Sequence, residues 1–151
     1  MSADTGIDIQ YAVSADGLPA AEQIREWVRH VLRDKAANAQ LTVRIVDTAE
    51  ITALNERYRR KDGPTNVLSF PYEPVAGVQA GLLGDIVICA PVVMEEAVAQ
   101  QKPLEAHWAH MVVHGLLHLL GYDHRHDLEA DEMEEIETAL LNELGFSDPY
   151  G

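Results

Sequence analysis

LLGDIVICA, residues 82–90, is a nearly continuous apolar run. That pattern is expected of a central strand, and the segments on either side of it set the rest of the fold. Downstream, Pro91 opens a helix, where its missing N–H costs nothing. Pro103 opens the next, a helix running through several histidines to Gly121. Asp127 caps a last helix that packs Met133, Ile136, Leu140 and Leu144, with Gly145 as its stop. Upstream, NVLSFPY (66–72) reads as a strand in which Pro71 lacks a ladder donor, which assigns it to a sheet edge. EPVAGVQAG (73–81) is a turn-rich connection, and RRKDGPTN (59–66), with Gly63-Pro64 and no apolar residue, is an exposed loop. Asp47 lies three residues before Glu50, a capping-box-like start for a helix through Ile51, Leu54 and Tyr58. LTVRIV (41–46) and IDIQYAV (7–13) alternate as half-buried strands, and residues 20–38 carry Ile24, Trp27, Val28, Val31 and Leu32 at helical spacing. The expectation is one α+β domain over residues 1–151, with about four strands in a mixed sheet and about five helices.

Composition bounds the function. At 151 residues the chain is long enough to bury a real core. No apolar run approaches a membrane span, and no basic region followed by an apolar segment opens the chain. A single cysteine, Cys89, cannot form an internal disulfide, so the expected compartment is the cytoplasm. Against 11 Lys and Arg stand 25 Asp and Glu, a net charge of −14. Taken alone that argues against nucleic acid, whose phosphates need cations.

The charge is unevenly spread, however. No Lys or Arg follows Arg125, while Asp127, Glu129, Asp131, Glu132, Glu134, Glu135, Glu137 and Glu143 crowd the end. Positive charge collects in Arg25, Arg29, Arg33 and Lys35, and again in Arg57, Arg59, Arg60 and Lys61. The first group reads as a solvated helix face, although a local basic surface stays open at either place. The acidic face is expected to repel RNA and confine it elsewhere.

HGLLHLLGYDH (114–124) puts three imidazoles in an otherwise apolar stretch. On a helix His114 and His118 are one turn apart and rotated by only ~40°, so one helix offers two ligands. Gly121 can take the left-handed conformation that ends a helix, and the chain can then return His124 towards the first two rings. Three neutral imidazoles suit Zn²⁺ and leave a fourth tetrahedral position open, which marks a catalytic site. His107 and His110 share roughly the same helix face and are the rival ligands. Without a turn of their own they read as supporting or surface groups. The same spacing occurs in HExxHxxGxxH proteases, whose Glu is the general base. Here that position is Gly115, which cannot accept a proton.

HGLLHLLGYDH closely resembles the signature of the bacterial YbeY family of metal-dependent endoribonucleases. YRRKDGPTNVLSFPYE (58–73), LLGDIVIC (82–89), KPLEAHWAHMVVHG (102–115) and the closing DPYG are similar to family segments in the expected order. The resemblance implies that His114, His118 and His124 are zinc ligands and that Arg59 is the functionally important arginine, placed at the RNA phosphate. Without it Arg59 would read as a solvated loop cation.

It further implies a single-strand-specific ribonuclease in maturation of the 16S rRNA 3′ end and in ribosome quality control. The implied partners are the small ribosomal subunit and the assembly GTPase Era; neither membrane nor DNA is expected. Bound zinc would either lower the pKa of a water towards ~7 or polarise a phosphoryl oxygen while the RNA 2′-OH attacks. Asp123 is read as a turn residue. A non-catalytic zinc-carrying assembly factor and a metallopeptidase stand as rivals, the latter disfavoured by Gly115.

Overall fold

The run at 82–89 is strand β4 (Leu82–Cys89), and its composition follows from what covers it. Ile86 and Ile88 enter the larger hydrophobic cluster on one face, while Val87 and Cys89 enter a smaller one on the other, with Val46, Ile51 and Leu68. A strand covered on both faces has no polar side to alternate with. These observations come from a computed structural model that describes residues 6–33, 39–72, 82–121, 127–147 and 149. The connection at 73–81 lies outside those residues.

Strands β1 (Ile7–Tyr11) and β2 (Gln40–Val46) pair in parallel, β2 and β4 pair in parallel, and β3 (Val67–Pro71) pairs antiparallel with β4. The spatial order is β1-β2-β4-β3. Pro71 is therefore on an edge strand, as its missing N–H requires. Among the described residues five α-helices complete the α+β architecture: α1 (Ala21–Leu32), α2 (Thr48–Leu54), α3 (Ala90–Ala99), α4 (Leu104–Leu119) and α5 (Asp127–Glu143). The first helix is shorter than the 20–38 pattern; residues 34–38 lie outside the described set. The Asp47 side chain accepts from the Glu50 N–H at 2.9 Å and starts α2 as expected.

That helix does not continue regularly to Tyr58. It passes into a π-helical turn, Asn55–Arg59, ending at Arg60 in the left-handed region, φ 55°. Buried Asn55 anchors the loop beyond, donating from Nδ2 to the Gly63 carbonyl at 3.0 Å. Inserting one residue per turn rotates the residues after it relative to a regular helix, which sets the direction of Tyr58 and Arg59. No periodicity signal in the sequence marks that change of pitch.

Helix α4 is the pivot of the molecule. It packs on β3 and β4 and is flanked by α1, α3 and α5. Trp108, Val112, Val113, Leu116 and Leu117 on it are fully buried. It reaches the sheet because Gly115 has no side chain. A Cβ there would stand 2.8 Å from Ile86 Cγ2 and 3.4 Å from Ser69 Oγ. The Ser69 hydroxyl uses that closeness to donate to the Gly115 carbonyl at 3.0 Å.

Candidate active site

From His107 to Leu119 every residue of α4 is buried except His114 and His118, which keep partial exposure. Their spacing puts them on one face, and the structure turns them towards a common point: the two Nε2 atoms stand 3.1 Å apart. The rings lie 4.6 Å between centroids at 75°. Two nitrogens ~2.05 Å from a tetrahedral zinc are ~3.3 Å apart, so this pair fits one ion without rearrangement. Gly121 has φ 101° and its N–H donates to the His118 carbonyl, which ends the helix as expected. The third expected ligand, His124, and its neighbour Asp123 lie outside the described residues. Among the described residues no group of three metal-ligating side chains converges.

A residue read as surface charge proves to be part of this site. Glu137 was expected on the RNA-repelling acidic face; it is 1% exposed. Its Oε1 accepts from His114 Nδ1 at 3.1 Å and its Oε2 from His110 Nε2 at 2.6 Å. Burial pushes this carboxyl up, but the hydrogen bonds from His110 and His114, with a smaller electrostatic pull from the same rings, outweigh it and lower it to about 2. The correction has a physical reason. Glu137 lies on the stripe Met133, Leu140, Leu141 that packs into the core, so the helix turns it inwards. That position was the available signal, hidden by the run of acids around it.

The two rival histidines are likewise not surface groups. His110 is 7% exposed and stands behind His114 through Glu137. His107 is 2% exposed and takes a separate role, donating from Nε2 to Glu96 Oε1 at 2.9 Å. Glu96 also receives Asn66 Nδ2 at 3.2 Å. Burial lowers the His107 pKa, against the opposing pull of Glu96. Neither ring shares the point at which His114 and His118 meet in the way those two share it.

Arg59 is exposed, but its guanidinium is fixed at the sheet edge. Nη2 donates to the Ser69 carbonyl, and the guanidinium lies 5.7 Å from the centre of the Phe70 ring. Ser69 in turn binds Gly115, the residue after His114. A chain of contacts thus runs from Arg59 through β3 to the histidine helix. Tyr58 is 55% exposed, set edge-on to Phe70 and flanked by Arg57 at 5.2 Å. The other basic group is less available: Arg29 pairs with Glu22 at 2.6 Å, Arg33 with Glu143 at 3.2 Å, and Arg25 donates to the Ile7 carbonyl.

Fold and site together define a small α+β protein whose central helix brings the Nε2 atoms of two histidines together, beside a basic, aromatic edge. Residues 10–145 match the family described as endoribonuclease YbeY, and the chain belongs to that family. It is also similar to the solution structure of TM1509 from Thermotoga maritima, with a TM-score of 0.66 and 28% identity over 96% of this chain and 99% of that one. No helix among the described residues is long and apolar enough to cross a membrane.

Proposed function

We propose that this chain, read as one domain over residues 1–151, is a zinc-dependent endoribonuclease cutting single-stranded RNA in the cytoplasm. Its place is the maturation of the 16S rRNA 3′ end and ribosome quality control, with the small ribosomal subunit and the GTPase Era as partners. Membership of the endoribonuclease family carries the RNA-cleaving activity; the metal and the rRNA target are our reading. The observation that carries the metal is the 3.1 Å approach of His114 and His118 Nε2, the two residues that keep exposure in the otherwise buried stretch His107–Leu119. His124, expected from the HxxxHxxGxxH spacing, is our third ligand.

When bound, zinc supplies Lewis acidity, which lowers the pKa of water towards ~7 or polarises a phosphoryl oxygen. The chain's own groups do the rest. Arg59 meets charge that grows on the phosphate, in a two-pronged contact that a planar guanidinium can make. Arg57, Arg60 and Lys61 attract the backbone, and exposed Tyr58 offers a face to an unstacked base. A peptidase is disfavoured because position 115 faces Ile86 and Ser69, so a Glu there could not serve as base.

The test compares metal content and RNA cleavage of wild-type, chelated, His118→Ala, His124→Ala and His107→Ala proteins from one purification. About one zinc per chain is expected, lost with cleavage in the His118 and His124 variants and kept in folded His107→Ala. Full metal content in His124→Ala would refute the three-histidine set.

A further inference from the structure

Glu137 is the most deeply buried acid described, and both its oxygens are taken by histidines of the neighbouring helix. A carboxylate in such a place is costly unless fully paired. Well-packed apolar residues would hold α5 on α4 as firmly, so cohesion alone gives no reason for an acid. What an acid does here that a methionine could not is select a tautomer. By accepting from His114 Nδ1, Glu137 puts that ring's hydrogen on Nδ1 and leaves Nε2 as a bare lone pair. The lone pair points at His118 Nε2, 3.1 Å away. The hydrogen in that contact then belongs to His118. His110, bound to the other oxygen at 2.6 Å, keeps the carboxylate from rotating.

We infer that Glu137 is a positioning residue, held by His110, that presets His114 as a donor before any metal arrives. This rests on the metal reading above and goes beyond it, because it makes helix α5 part of the metal centre. The sequence distance is wide: the positioning carboxylate comes 23 residues after the ligand it sets.

Glu137→Met keeps the volume and removes the acceptor; Glu137→Gln keeps an acceptor of lower strength. Cobalt(II) and zinc affinities are measured for both variants and wild type. The nitrogen shifts of His114 and His118 are read by NMR in the metal-free proteins. Wild type should show His114 protonated at Nδ1 and His118 at Nε2. Glu137→Met should remain folded, lose roughly 10- to 100-fold in metal affinity, and show His114 in both tautomers. Glu137→Gln should fall between the two. A merely structural role would leave the His114 tautomer and the metal affinity as they were, whatever the change in the unfolding midpoint.

If wild type binds metal and a folded Glu137→Met binds it equally tightly, with His114 unchanged, the positioning role is wrong and the metal site stands. Should wild type take up neither ion, the metal reading falls and the role of Glu137 falls with it. If Glu137→Met does not fold, Glu137→Gln decides by the same two readings, wild-type affinity and tautomer overturning the inference.

Discussion

Arg59 is exposed and yet tethered, held by the Ser69 carbonyl and the Phe70 ring. A tethered cation loses little entropy when it meets a phosphate, and its placement favours a role in the cleavage step over one in general attraction. Arg59→Ala should therefore cut the single-turnover rate at saturating RNA, while Arg60→Ala should weaken binding and keep most of that rate. Arg59→Lys should rescue only in part, since an ammonium offers no planar fork. A wild-type rate for Arg59→Ala at saturation would make it one more loop cation. Gly115 poses the opposite problem, a residue defined by what it lacks. In an ordinary helix Gly→Ala gains ~1 kcal/mol. Here the new methyl meets Ile86 Cγ2 at 2.8 Å, and overpacking costs ~1–3 kcal/mol. Gly115→Ala should lower stability by about 1 kcal/mol in denaturant unfolding, and a raised midpoint would show slack between α4 and the sheet.

Two buried titrating groups tie the helices to pH. His107, on α4, binds Glu96 of α3, and its folded pKa lies below 6.5. Above 6.5 it is neutral in both folded and unfolded chains; as pH falls below 6.5 only the unfolded chain takes the proton readily, so stability is lost. Glu137, on α5, is depressed from 4.5 to about 2. Its contribution is whole above 4.5 and disappears as pH falls towards 2. Unfolding midpoints should thus decline on acidification in two successive windows. Folded His107→Gln should flatten the first window and Glu137→Gln the second. A midpoint constant from pH 7 to 5 in wild type, unchanged by His107→Gln, would sink the first assignment. The elements themselves were largely legible in the sequence, because their causes are local: the Asp47 cap, Pro71 on an edge strand, the Gly121 stop and the i, i+4 histidines. What was not legible depended on contacts between elements. Glu137 looks like its acidic neighbours until α5 is laid on α4, and the π-helical turn at Asn55–Arg59 leaves the hydrophobic pattern through Tyr58 unchanged.

The whole molecule carries a net charge of −14 and belongs to a family that cleaves RNA, so attraction must be local. Of the two basic groups, the α1 stripe is engaged: Arg29 pairs with Glu22 and Arg33 with Glu143. Arg57, Arg59, Arg60 and Lys61 are all exposed on the turn and loop beside β3. Asp131, Glu132, Glu134 and Glu135 are exposed on α5 and should make that helix unfavourable to RNA. Single-stranded RNA contacting the loop cations should show a log affinity against log salt slope of about −3, from ~0.7 per phosphate neutralised. Replacing Arg60 and Lys61 with Ala should make that slope shallower by roughly half. Replacing Arg25 and Arg29 should leave it nearly unchanged, because those side chains are already committed within the fold. Neutralising Glu134 and Glu135 should raise affinity at low salt, an effect fading above roughly 0.15 M as the screening length drops below ~8 Å. The decisive comparison is between the two Arg groups: equal flattening by the α1 and loop replacements would mean that RNA crosses α1 as well, and the loop would lose its claim as the sole point of entry.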